Sequence, residues 1–412
     1  MIRLHHDDPT ADWTVPGVYE VDTGLYRIPL PLPHDHLKAV NVYAVRDGDG
    51  LVLVDSGWAL TQARDLLEQA VKTLDCALPE IRRFLVTHVH RDHYTMAVAL
   101  RREFGLRVSL GRGEAGTLRL ARGAIPFSGL LSQVQRGGAD DLARELRVSP
   151  VEHDTSLWAD PDDWLDAPGE VQLGATTWQM YPTPGHTRGH VVFVDPARDV
   201  MFAGDHVLPH ITPSIGFEQN HAELPLGDYL DSLRLVRGLP DRRLLPAHGP
   251  VSPSVHARVD ELLDHHDTRL RRIEELVDRQ AGTAAEVAGR LRWTRRERRF
   301  DELDLFNRCL AVSETLAHLD VLAVAGRLRR ADLDGTSYYA KAWGEPGRRR
   351  ARSGRCPPGL AARHGAAVPP GRPLARGGVR GLDRGGPAPA RPRRSAAAAL
   401  ALVLPAGPPR PG

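Results

Sequence analysis

Cysteine is scarce. Cys76, Cys309 and Cys356 are the only three in 412 residues, and their wide separation offers neither a disulfide framework nor a cysteine metal site. An apolar leader is also lacking: the opening Met1-Ile2-Arg3-Leu4-His5-His6 contains no signal-like core, so secretion is not expected. The last apolar stretch, Ala396 to Leu404, falls short of the about 20 residues that a membrane-spanning helix requires. No internal repeat and no glycine-rich nucleotide loop is found. With these classes set aside, 42% hydrophobic composition points to a soluble cytoplasmic chain with room for a large catalytic domain and a small helical one.

Histidine is plentiful, and its placement matters more than its count of 19. Thr87-His88-Val89-His90-Arg91-Asp92-His93 follows the apolar run Phe84-Leu85-Val86 and puts four metal-binding side chains in one short turn. Single histidines are mostly solvated or hydrogen-bonded core residues; clustering sets these apart. Side chains of an extended chain alternate, so His88 and His90 project together, while Asp92 and His93 reach a neighbouring position as the chain enters a helix. Neutral imidazoles with a carboxylate suit zinc, with iron or manganese as alternatives.

Three later segments each read as a strand end followed by a ligand-bearing turn. Trp178-Gln179-Met180-Tyr181 precedes Thr183-Pro184-Gly185-His186, Val200-Met201-Phe202-Ala203 precedes Gly204-Asp205-His206, and Leu244-Leu245-Pro246-Ala247 precedes His248-Gly249. Glycine beside a ligand lets the backbone approach an ion closely. Leu51 to Val54 ends in the same style at Asp55-Ser56-Gly57, where Asp55 is either a ligand or an acceptor that orients one.

The ordered set His88-x-His90-x-Asp92-His93, then His186, Asp205 and His248, resembles the metallo-β-lactamase superfamily over roughly the first 255 residues. The resemblance implies an α/β fold: an αββα four-layer sandwich of two mixed sheets, helices outside and metals at one sheet edge. It implies one metal held by His88, His90 and His186, a second by Asp92, His93 and His248, and Asp205 bridging the two. Two divalent cations, zinc above all, sharing a water lower its pKa towards neutrality, so hydrolysis is the expected reaction. Asp92 or Asp205 would pass a proton to the leaving group. True β-lactamases of the superfamily usually carry Cys or Ser where Asp205 stands, and glyoxalase II enzymes follow the first motif with Gly-Gly where this chain has Tyr94-Thr95. Nucleases with a large insertion need more chain than separates Asp205 from His248. Hydrolysis of an ester, thioester or lactone in a small-molecule acyl substrate fits best, with a phosphodiesterase or endoribonuclease of the same superfamily as the alternative.

The remaining pattern is compatible with that fold. Leu25 to Leu32 and Val40 to Val45 read as strands, Asp47-Gly48-Asp49-Gly50 as a hairpin turn, and Leu51 to Val54 as the return strand. Ala59 to Leu74 and Tyr94 to Phe104 have helical spacing, and strand and helix alternate thereafter. His34 and His36, between the first two strands, are pocket candidates, as is His210 in the Pro-rich segment Val207 to Pro213, a pocket wall or buried packing. Gly113 to Gly169, which includes Ile125-Pro126-Phe127, reads as an insertion able to cap the site.

After Val255 the pattern turns helical. Val259, Leu262, Leu263, His266, Leu270, Ile273 and Val277 recur at spacings of three and four and predict an amphipathic helix through Gln280. Thr283 and Glu286 form a capping box for a short helix, Leu305 to Val324 predicts another, and the segment from Gly326 through Tyr338-Tyr339 resembles a β wing. Residues 256–345 thus resemble the winged-helix domain attached to one branch of the superfamily, with a lid or homodimer element as the expected role. A winged helix also raises a DNA-binding regulator. The candidate recognition helix, Ala311 to Ala325, carries Glu314 and Asp320 but no Lys or Arg, so nucleic-acid readout is not expected. The run Arg295-Arg296-Glu297-Arg298-Arg299 reads as a solvated or salt-bridged face.

From Pro346 onward there are fourteen arginines, no lysine and one acid, Asp383, giving +13 there and −11 for the rest of the chain. That balance disfavours a polyanionic substrate at residues 1–345. Residues 346–412 are rich in Arg, Gly, Ala and Pro without apolar periodicity and are expected to be disordered, a shifted reading frame near Glu345 being one origin.

Overall fold

The computed structural model describes residues 2–33, 37–123, 127–149, 154–174, 176–277, 282–294 and 296–342. Backbone contacts divide the chain into Met1–Pro346 and Gly347–Gly412. All described residues lie in the first unit, so the expectation for the arginine-rich tail falls outside them.

One sheet runs in chain order through β1 (Leu4–His6), β2 (Val18–Asp22), β3 (Leu25–Pro31), β4 (Ala39–Asp47), β5 (Gly50–Val54), β6 (Ile81–Val86), β7 (Arg107–Gly111) and β8 (Asp163–Leu165). Its β2 to β5 portion is antiparallel, and β5 to β8 are parallel. The parallel connections are helical: α1 (Thr61–Thr73) and α2 (Arg91–Phe104) cross between strands, and α3 (Ala115–Ala121), α4 (Ser128–Arg136) and α5 (Asp140–Val148) fill the long segment before β8. The second sheet contains β9 (Gly169–Leu173), β10 (Thr176–Pro182), β11 (Val191–Asp195), β12 (Val200–Gly204) and β13 (Arg243–Pro246), antiparallel except for the final β12–β13 pair. The helix α6 (Pro225–Arg237) supplies that crossover.

Period-two alternation sorts these strands into layers. Leu85, Val191, Phe193, Val200 and Phe202 meet Tyr43, Val54 and Trp178 in the core between the sheets. Their strand neighbours Phe84 and Val86 face the opposite way, into the core beneath α1 and α2. Val192, Val194, Met201 and Ala203 likewise face the core under α6. Helix, sheet, sheet and helix therefore stack as the expected four layers. Trp178 and Phe202 stack with centroids 4.7 Å apart at the centre.

The outer core beside the second sheet also receives α7 (Val255–Leu276), α8 (Ala284–Gly289) and α9 (Leu305–Val324), followed by a hairpin of β14 (Leu328–Leu333) and β15 (Thr336–Lys341). Thr283 caps α8 through the expected box with Glu286. Three helices differ at their ends from the sequence reading, the first spanning Thr61–Thr73 instead of Ala59 to Leu74. The second helix starts at Arg91, so Asp92 and His93 already lie in its first turn, where an acid complements the helix N-terminus. The seventh ends at Leu276 because Val277 is extended, with ψ 122°, and Gln280 falls outside the described residues. Leu130, Leu131, Val134 and Ala143 from α4 and α5 enter the same core as Ala311, Val312 and Leu316 from α9, so the Gly113 to Gly169 segment is packed against the C-terminal helices. Of the basic run, Arg299 is paired with Asp301. Among the described residues, no helix is long and apolar enough to cross a membrane.

Candidate metal centre

Every candidate ligand sits just beyond a strand end. The β6 strand carries the chain into Thr87, which is pinned when its backbone N–H donates to Asp55 Oδ1 at 2.8 Å and its hydroxyl donates to the same atom at 2.9 Å. His88 and His90 follow in extended chain, and His90 is the N-cap of α2. His186 follows β10 through Gly185, whose φ of +136° and 2.4 Å approach of a would-be Cβ to Tyr229 Cβ leave no room for a side chain. Asp205 follows β12, and His248 follows β13.

Two groups of donors result: His88, His90, His186 and Asp205, then Asp92, His93 and His248, each with its ligand atoms within 4.8 Å of one another. His88 Nε2 and His186 Nε2 each lie 3.0 Å from His90 Nδ1. Asp92 Oδ2 is 3.5 Å from His93 Nε2 and 3.4 Å from His248 Nε2. Asp205 faces both groups: Oδ2 is 3.4 Å from His186 Nε2, and Oδ1 is 3.3 Å from His248 Nε2.

The outer nitrogens fix which atoms face inward. His93 Nδ1–H donates to Asp55 Oδ2 at 3.0 Å, His186 Nδ1–H to Ser214 O at 2.8 Å and His248 Nδ1–H to Ala39 O at 2.8 Å. Because the Thr87 hydroxyl already donates to Asp55, His88 Nδ1–H donates to Thr87 Oγ1 at 3.1 Å. Each of these four rings therefore aims its Nε2 into the cluster, the arrangement that orients metal-ligating histidines. His93 Nε2, His248 Nε2 and Asp205 Oδ1 are buried without a hydrogen-bond partner among the described residues. Orphaned atoms of this kind cost about 1–3 kcal/mol each unless something occupies the centre. Donors sharing one tetrahedral ion at 2.0–2.1 Å stand roughly 3.3 Å apart, close to the spacings found, so the residues fit divalent metal ions.

The electrostatics agree. Burial pushes His88 and His90 well below the usual imidazole range, with neighbouring rings adding to the effect on His88. Burial would also lower His93 and His248, but the surrounding carboxylates, Asp92, Asp55 and Asp205 for His93 and Asp205 and Asp92 for His248, raise both, so the metal-free centre favours positive charge at the inward nitrogens, where a bound cation would replace the proton. Asp205 is held low against its own burial by His248, His93 and His186, so the carboxylate is ionised and ready for a cation.

Asp55 therefore orients His93. His34 and His36 lie outside the described residues. His210 is exposed, in contrast to the buried Val207 and Leu208 before it. Several participants had no signal in the sequence. His190 stacks 5.0 Å from His88, yet its Nε2 accepts the Asp205 N–H at 3.2 Å and its Nδ1–H donates to Thr183 Oγ1 at 2.8 Å. It thus braces Asp205. Glu114 and Glu218 are buried behind the His186 turn: Glu114 accepts the Thr187 hydroxyl, and Glu218 Oε2 accepts the Arg188 N–H at 2.9 Å. Burial raises both carboxyls, Glu218 to about 7, and the charge of Glu218 raises Glu114 further. Phe217 stands 5.2 Å from the His90 ring. Only the fold brings these residues to the centre.

The family described as "Metallo-beta-lactamase superfamily" matches residues 37–248, just over half of the chain. With this match, fold and donor set, the chain belongs to the metallo-beta-lactamase superfamily. It is a metal-dependent hydrolase of that superfamily. A protein named "Probable metallo-hydrolase" from Bacillus subtilis (strain 168) is 25% identical over 309 residues, 72% of this chain and 90% of its own length. An atrochrysone carboxyl ACP thioesterase from Aspergillus terreus is 26% identical across 58% of each chain, so this chain spans little more than half of that relative. A hydroxyacylglutathione hydrolase from Haemophilus influenzae is 27% identical, covering 45% of this chain and 71% of its own. Among solved structures, a metallo-beta-lactamase family protein from Thermus thermophilus aligns with TM-score 0.64 and 28% identity, covering 78% of this chain and all of that one. A beta-lactamase domain protein from Burkholderia ambifaria aligns with TM-score 0.65 and 29% identity, covering 82% and 97%.

Proposed function

We propose that this protein is a dinuclear hydrolase of a small-molecule ester, thioester or lactone. The observation that carries the dinuclear reading is Asp205, whose two oxygens each face a separate group of donors. His88, His90 and His186 would hold one ion, Asp92, His93 and His248 the other, and Asp205 would bridge them. Zinc suits this set of imidazoles and carboxylates, with iron or manganese as alternatives. Divalent cations bound here supply Lewis acidity for a carbonyl oxygen and lower the pKa of water towards neutrality.

The protein's own residues do the rest. Asp55, Thr87, Ser214 O and Ala39 O hold the four outer imidazole N–H groups, so each of these rings turns its Nε2 to the centre. Asp92 keeps 13% of its side chain accessible, and it or Asp205 is the group to carry a proton to the leaving oxygen or sulfur. The thioester chemistry in the names of two relatives supports the acyl reading.

Residues 256–345 we read as a helical, winged-helix-like domain appended to a catalytic domain of residues 1–255, in a cytoplasmic enzyme. A DNA-reading role for its long helix is disfavoured by burial: Ala311, Val312, Leu316, Leu319 and Leu322 of α9 are all in the core. The −11 charge outside the tail weighs against phosphodiesters. The test is turnover of thioesters, lactones, aryl esters and phosphodiesters by metal-loaded protein. Carbonyl substrates alone should turn over, and phosphodiester turnover alone would replace this reading with the nuclease one.

A further inference from the structure

Exposure at the donor cluster is uneven. Of the five histidines in the two donor groups, only His90 retains appreciable exposure, while His88, His93, His186 and His248 are buried. Phe217 stands 5.2 Å from that partly exposed ring. Two more rings extend the surface: Phe127 and Phe306 stand 6.0 and 5.6 Å from Phe217, and 5.5 Å from each other. All three are half-buried, unlike the core rings Phe193 and Phe202, which are sealed. They come from three distant parts of the chain: the residue that opens α4 within the long insertion, the segment after Asp205, and the first turn of α9.

The segment that presents Phe217 is held at nearly every residue. Ser214 O accepts from His186, Gly216 O accepts the Ser313 hydroxyl of α9 at 2.8 Å, and Glu218 accepts from Arg188 N–H. Gln219 Oε1 accepts from Ser128 Oγ at 2.8 Å and Gly129 N–H at 3.1 Å at the start of α4. Phe127 has φ +55°, a conformation rarely adopted by a bulky side chain and found where surroundings over-determine the backbone. A ring anchored on both sides, beside a ligand histidine and partly open to solvent, is a pre-organised apolar surface.

We propose that Phe127, Phe217 and Phe306 form the acyl-binding wall of the site and select substrates whose acyl group is an alkyl chain or an aryl ring. This rests on the acyl-hydrolase reading and deepens it. The wall gives α9 a role in selection: its first turn supplies Phe306, and its Ser313 holds the strap that carries Phe217. The polar leaving group would lie away from the rings, and the scissile carbonyl would lie at the donor cluster.

The test uses the full-length, metal-loaded protein with thioesters of acetate, butanoate, hexanoate and octanoate. Calorimetric binding of free acetate and octanoate is measured in parallel. Wild-type kcat/KM should rise about fourfold for each methylene buried until the wall is filled. Phe217→Ala and Phe306→Ala should flatten the series and lower the octanoate-to-acetate binding ratio at least tenfold, and Phe217→Leu should restore most of it. Equal selectivity in wild type and both Ala variants, with thermal unfolding showing each folded, would overturn the wall. If no thioester is turned over, the hydrolase reading fails, and the octanoate-to-acetate binding ratio still decides the wall.

Discussion

The donor cluster and the aromatic wall beside it are built in opposite ways. The cluster is polar, largely buried and assembled from strand-end turns of both sheets, with four of its five imidazoles fixed by a hydrogen bond to the outer nitrogen. The wall is apolar, half-open and drawn from an insertion, a strap and the C-terminal helices. Chemistry and selectivity are therefore separable: damage to the first should remove turnover for every substrate, and damage to the second should change which substrates are preferred.

The strongest way to expose that separation is to remove a metal donor. His88→Ala or Asp205→Ala should lower turnover of every substrate on the order of a thousandfold or more, because each deletes a ligand from a site that works as a unit. Circular dichroism should stay close to wild type, since neither side chain belongs to an apolar core. Activity within tenfold of wild type in both variants would sink the catalytic assignment.

A milder break lies one layer out. Asp55→Ala removes the acceptor that holds both His93 Nδ1–H and the Thr87 backbone. Metal affinity, measured by competition with a chelator, should fall about 10- to 100-fold. An unchanged affinity would mean that packing alone fixes His93.

How far these two regions were legible in the sequence follows from the same contrast. His88, His90, Asp92 and His93 fall within six residues, and His186, Asp205 and His248 each follow a recognisable strand, so alternation and turn chemistry expose them. The αββα layering was implied by the family resemblance those residues carry, and the alternate residues of Val191–Asp195 and Val200–Gly204 line different cores in keeping with it. The wall had no such signal. Phe127, Phe217 and Phe306 are isolated in sequence, and only the packing of α4 and α9 brings them together. His190 illustrates the opposite limit: it is as close to the cluster as a ligand, but the Asp205 N–H occupies the nitrogen it would need. The buried pair Glu114 and Glu218 was invisible because each looks like an ordinary helical or loop acid until burial is known.

That pair supplies a pH test. Burial raises Glu218 to about 7 in the folded protein, above its value of 4.5 when unburied. Its stabilising contribution is complete below the unfolded value and is lost as pH rises through the folded one. Wild-type Tm should consequently decline between pH 5 and 8 by on the order of a few degrees more than that of Glu218→Gln, which mimics the protonated carboxyl. Parallel Tm profiles for the two proteins would contradict the assignment. The smallest effect expected is that of Ser313→Ala, which removes one hydrogen bond to Gly216 O and should cost about 1 kcal/mol in chemical denaturation. It should also soften the octanoate preference without abolishing it, which would tie the strap to the wall.

The central claim is that two ions share one site through Asp205. Elemental analysis of reconstituted, exhaustively dialysed protein tests it most directly, with wild type and Asp205→Ala side by side. Two divalent metals per wild-type chain, falling to one or fewer in the variant, is the result predicted. A single metal in wild type, with the same content in Asp205→Ala, would contradict it.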